Sequence, residues 1–67
     1  MTIGGKLKEL RIAKNYTQEE ASFLYGCSRQ YLNKVENDKV NIGFNAIRKF
    51  ARLYGIKAET LSKLKGE

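Results

Sequence analysis

Apolar residues recur at intervals of three and four along almost the whole chain, and no stretch alternates apolar with polar long enough to make a strand. Ile3, Leu7 and Leu10 mark the first amphipathic segment, with Lys6, Lys8, Glu9 and Arg11 between them, which predicts a helix over Ile3 to Lys14. Thr2 stands where an N-cap is needed, and Gly4 and Gly5 weaken the first turn. Thr17 and Glu20 have the spacing of a capping box, Tyr16 is placed to staple onto Ala21, and Gly26 ends the second helix. Ser28 caps a third helix that turns Leu32 and Val35 inward and ends near Asn37. A fourth covers Phe44 to Tyr54, with Phe44, Ile47, Phe50, Ala51 and Tyr54 on one face and Gly55 behind it. A fifth runs from Ala58 to Leu64, with Leu61 and Leu64 inward. The expected fold is all-α: five helices in a single domain spanning residues 1–67.

Only Gly26, Cys27 and Ser28 separate the second and third helices. Two short helices joined by a three-residue turn with a glycine make a helix-turn-helix, here residues 18–37. Winding the third helix at about 100° per residue places Leu32 and Val35 on the buried side. The opposite side then carries Gln30, Asn33, Lys34 and Asn37, with Arg29 at the N-terminal edge and no acid among them. Arginine and lysine donate to guanine O6 and N7, and an amide pairs with adenine N6 and N7, so these side chains suit the reading of base edges. An ordinary solvated helix face offers a similar stripe, and the residues by themselves leave both readings open.

Charge points the same way. Lysine and arginine number 13 against 7 acids, a formal net charge of +6. The excess favours an anionic partner, nucleic acid first, although basic character also serves solubility alone. Cys27 is the only cysteine and there is no histidine, so neither a disulfide nor a zinc site is expected, and no cofactor. Cys27 reads as core, and the reduced, cytoplasmic setting is the default. No apolar run approaches the roughly 20 residues that span a bilayer, so no membrane association is expected. The chain lacks histidine for general base work, a phosphate loop and a nucleophile elbow, which argues against an enzyme.

Several spaced signals together resemble the Cro/repressor-type helix-turn-helix family, also known as the XRE family and similar to lambda-like phage repressors. They are Thr17-Gln18-Glu19-Glu20, Gly26-Cys27-Ser28, Val35-Glu36-Asn37, and the run from Asn45 to Ile56. The likeness covers about Ile3 to Leu64. It implies a lambda repressor-like five-helix domain from a bacterium or phage, binding double-stranded DNA to regulate transcription, most simply as a repressor. It further implies base contacts from Arg29, Gln30, Lys34 and, more weakly, Asn33. Phosphate contacts are implied for Gln18, Ser28, Tyr31, Asn37 and Lys39, although Tyr31 also reads as cover for the core edge. Arg11 and Glu36 match a buried pair that ties the first helix to the end of the third, and Ser22 matches the small residue where helices two and three cross.

Departures from the family pattern are local. Asp38 replaces a glycine after the third helix, and Ile42-Gly43 replaces a proline and a serine before the fourth. One such domain covers a short half-site, so the resemblance implies a homodimer on a pseudo-palindromic operator, with Ile56, Leu61 and Leu64 either contributing to the dimer patch or consumed by the monomer core. Two alternatives share the fold: an antitoxin that represses its own operon and grips a toxin partner, and a protein-interaction module without DNA. Arg48, Lys49 and Arg52 on the fourth helix read as a solvated face.

Overall fold

The computed structural model describes residues 1–65. Among them five helices follow one another: α1 (Ile3–Ala13), α2 (Gln18–Tyr25), α3 (Arg29–Glu36), α4 (Phe44–Tyr54) and α5 (Ala58–Lys65). No strand occurs among these residues. The expected helices are all present, and their ends differ by a residue where backbone chemistry decides. α1 stops one residue early because Lys14 is its C-cap and Asn15 then turns left-handed at φ 62°. Asparagine is among the few residues that accept that conformation readily. α3 stops at Glu36 with Asn37 as cap, and α5 continues one residue past Leu64.

Each start has a local cause. Thr2, Thr17 and Ser28 all accept a backbone N–H three residues on, from Gly5, Glu20 and Tyr31. Glu20 completes the capping box by accepting from the Thr17 N–H at 2.9 Å. α4 begins without a side-chain cap, at Gly43. Gly26 (φ 93°) and Gly55 (φ 71°) end α2 and α4 in the left-handed conformation that glycine adopts at least cost.

The core joins Leu7 of α1, Ala21 of α2, Leu32 and Val35 of α3, Ile47, Phe50, Ala51 and Tyr54 of α4, and Leu61 of α5. Ile42, in the segment before α4, is buried with them. Phe50 is its aromatic centre, stacked on Tyr25 at 4.2 Å and on Tyr54 at 6.2 Å between ring centroids. Tyr16 and Cys27 pack half-buried against this cluster. α3 packs on α1 and α2, while α4 packs on α5, α2 and α1. The helix-turn-helix is thereby braced from behind, with the outer side of α3 left free.

Three expectations change or narrow. Phe44 does not face inward with the rest of α4; it is 61% exposed, because it opens the helix before the inward stripe begins. Of the two readings open for Ile56, Leu61 and Leu64, burial favours the monomer core: Leu61 is fully buried, and Ile56 and Leu64 are half-buried. Gly4 is buried where α1 meets the end of α3. A Cβ there would lie 2.6 Å from Asp38 Oδ1 and 2.9 Å from the Glu36 carbonyl oxygen. Glycine weakens the helix in isolation but permits this close approach.

Candidate nucleic-acid interface

The site is built outward from a buried polar hub. Arg11 donates through Nε to Glu36 Oε2 at 2.7 Å and through Nη2 to Glu36 Oε1 at 3.2 Å. Its Nη1 donates to the Tyr16 carbonyl at 2.8 Å. The Glu36 side chain is 1% exposed and that of Arg11 10%. Two charges so far from water are tolerable only when paired and hydrogen-bonded, and here one guanidinium ties α1, the α1–α2 turn and the end of α3 together. The structure brings the expected pair together as buried, hydrogen-bonded partners.

A third partner was not foreseen. Gln18, the first residue of α2, donates from Nε2 to Glu36 Oε1 at 3.1 Å. Its amide is thus anchored inward, with one N–H and the carbonyl oxygen left over for other partners. Asp38 supplies a second unforeseen tie. Its backbone is left-handed at φ 58°, as the missing glycine required. Its carboxylate then accepts from the Gly4 N–H at 3.0 Å and the Thr2 hydroxyl at 2.6 Å. A carboxylate at a helix N-terminus is favoured by the unsatisfied N–H groups there, so the turn after α3 is clasped to the start of α1.

On this frame the outer side of α3 forms a shallow concavity of about 400 Å³. It is lined by Gln18, Arg29, Gln30, Asn33 and Lys34: the four side chains expected on bases and one expected on phosphate. The four from α3 are exposed and Gln18 is half-buried. No acid lines the concavity, and neither Arg29 nor Lys34 forms an ion pair among the described residues. The surface therefore presents uncompensated positive charge beside amide donors and acceptors.

The remaining expected contacts lie outside it. The Ser28 hydroxyl is occupied in capping α3, accepting from the Tyr31 N–H at 3.0 Å, and the Tyr31 side chain is half-buried against the core. Asn37 donates from Nδ2 to the Asn33 carbonyl at 2.8 Å and to Asn33 Oδ1 at 3.3 Å. That bond holds the Asn33 side chain on the stripe. Lys39 is exposed, its backbone N–H closing the end of α3 on the Lys34 carbonyl at 2.9 Å.

The groups whose acidity shifts lie inside the domain. Burial pushes Tyr54 up to about 12, with Glu36 adding to the effect and Arg11 opposing it. Its hydroxyl is buried and has no hydrogen-bond partner among the described residues. Burial also raises the Cys27 thiol against the opposing pull of Lys49.

The helix-turn-helix family model matches residues 7–61, most of the chain. Among solved structures, the restriction-modification controller protein C.AhdI from Aeromonas hydrophila superposes with a TM-score of 0.81 and 37% identity, covering 88% of this chain and 89% of that one. The master regulator for biofilm formation SinR, solved in complex with DNA, superposes with a TM-score of 0.83, covering 91% of this chain and 98% of that one. At 24% identity the likeness to SinR concerns the fold alone. The hypothetical transcription factor NHTF from Neisseria gives 0.81 and 30% identity, over 88% of this chain and 66% of that one. No curated protein matches significantly. No helix among the described residues is long and apolar enough to cross a membrane.

Proposed function

The chain belongs to the helix-turn-helix family of Cro/repressor-type DNA-binding transcription regulators, and from that premise we propose that α3 enters the major groove of double-stranded DNA and reads bases there. Arg29, Gln30, Asn33 and Lys34 would then meet base edges, while Gln18, Ser28, Tyr31, Asn37 and Lys39 hold the phosphate backbone on either side. The observation that carries this reading is the acid-free concavity in which Gln18 from α2 meets those four α3 side chains. Every one of the five is a donor to phosphate or to a base acceptor, and Gln30 and Asn33 also accept from adenine N6.

The output is repression by occupancy, with two copies on a near-palindromic operator, since one α3 spans too few base pairs for strong selectivity. The identity with a restriction-modification controller favours a narrower reading, in which the regulated genes are of that kind. Selection of duplexes from a random library, followed by titration across salt concentrations, tests the proposal. The expected result is a two-fold symmetric consensus, with log affinity falling by about 0.9 per log unit of salt for each phosphate neutralised. Recovery of no consensus and a flat salt dependence would sink it. A single half-site would sink the dimer.

A further inference from the structure

A second positive groove lies on α4. Asn45, Arg48, Lys49 and Arg52 line a concavity of about 250 Å³, and it shares no residue with the one on α3. All four side chains are exposed. They recur at i, i+3, i+4 and i+7, opposite the buried stripe of Ile47, Phe50, Ala51 and Tyr54. None of the three cations forms an ion pair among the described residues. Five acids are engaged elsewhere: Glu9 with Lys6, Glu36 with Arg11, Glu59 with Lys63, Asp38 with Thr2 and Gly4, and Glu20 in the α2 cap; Glu19, in the first turn of α2, does not line the groove. Like charges at this spacing repel, so the free protein carries an electrostatic cost that an entering anion removes.

The groove is also partly preorganised. Lys49 Nζ sits 4.4 Å above the Tyr25 ring, and that ring is stacked on Phe50 in the core. One cation is thus held in place before any ligand arrives, which lowers the cost of ordering it on binding. Arg48 and Arg52 stand one turn apart, about 6 Å along the helix, and the four positions extend over about 10 Å. An elongated row of cations with an amide at one end suits a nucleic-acid backbone, which carries one negative charge for about every 1.7 Å of duplex. α4 packs on α1, α2 and α5, whereas α3 packs on α1 and α2, and the two grooves have separate linings.

We propose that the Asn45–Arg52 face of α4 binds the phosphate backbone of a second duplex, so that one protomer bridges two DNA segments; this rests on α3 engaging the first. The contact is sequence-independent, because only phosphates meet it.

The test immobilises the selected operator duplex, saturates it with protein and measures capture of a labelled random-sequence duplex. Single-duplex affinity is measured in parallel, and circular dichroism checks the fold of each variant. The expected result is capture by the wild type that fades steeply with salt. The Arg48→Ala/Arg52→Ala double variant should capture at least tenfold less while binding the operator within about twofold of wild type. Lys49 is left alone because it packs on Tyr25. Capture unaffected by the double substitution overturns the proposal and leaves the face solvated or open to an acidic protein. An equal loss in both measurements also overturns it, by placing the groove on the same duplex. Absence of any single-duplex binding by the wild type fails the α3 reading itself, and the bridge with it.

Discussion

The two sides of α3 are both rich in polar groups, yet they do opposite work. On the inner side Glu36 is nearly water-free and receives three hydrogen bonds, from Arg11 and Gln18. On the outer side Gln30, Asn33 and Lys34 are exposed, and among the described residues none of them donates a side-chain hydrogen bond; of the three, only the Asn33 side chain accepts one there, from Asn37. The inner polar groups are satisfied, so they hold the structure. The outer ones are exposed to water, which a partner can displace. A rotation of about half a turn around one eight-residue helix separates stability from recognition.

The sharpest way to break this contrast is Glu36→Ala. It leaves the Arg11 guanidinium buried without its anion, and a loss of about 3–5 kcal/mol is expected in denaturant unfolding. The double variant Arg11→Met/Glu36→Leu should recover much of that loss, since it removes both charges. A cost for Glu36→Ala below about 1 kcal/mol would rank the pair with surface ion pairs.

Gly4→Ala comes next, and its sign is the informative part. Helix propensity alone predicts a gain of about 1 kcal/mol. The clash with the carbonyls at the end of α3 predicts a loss of about 1–3 kcal/mol instead. A stabilised variant would show that α1 can retreat from α3 freely.

On the outer side, Gln30→Ala should leave the unfolding midpoint within about 0.5 kcal/mol of wild type. Affinity for the selected operator should fall by about 1–3 kcal/mol, with relaxed preference at one or two base pairs. Gln18→Ala touches both sides. It should weaken all sequences alike and also lower stability slightly through its lost bond to Glu36. Uniform weakening by both variants would collapse the division between base and phosphate contacts.

The smallest effect is expected from Tyr54→Phe, which deletes a buried hydroxyl that has no partner among the described residues. Stability near neutral pH should be unchanged or slightly higher. At alkaline pH the comparison sharpens. The wild-type tyrosine stays protonated in the folded state up to about 12, while an unfolded tyrosine ionises from about 10. The wild type therefore loses stability as pH rises across that window, and the phenylalanine variant should lose less, leaving the shallower contributions of Tyr25 and Cys27.

Much of the fold was legible because its signals are local. A capping box, two left-handed glycines and a three- and four-residue apolar period each act within one turn of helix, and they are read directly from neighbouring residues. The outer stripe of α3 was legible for the same reason, since Leu32 and Val35 determine which side is left. Phe44 misled because period alone does not say where along a helix the core begins.

What the sequence determined by itself was therefore the set of helices, their stops, the turn at Gly26 to Ser28, and the positive, acid-free side of α3. The tertiary structure alone decided the rest. It placed Gln18 against Glu36, Asp38 against Gly4, and Lys49 on the Tyr25 ring. Those pairings join residues 18 to 34 positions apart, or depend on how tightly two helices approach. No short-range pattern encodes such distances; they are settled only when the five helices bury one another.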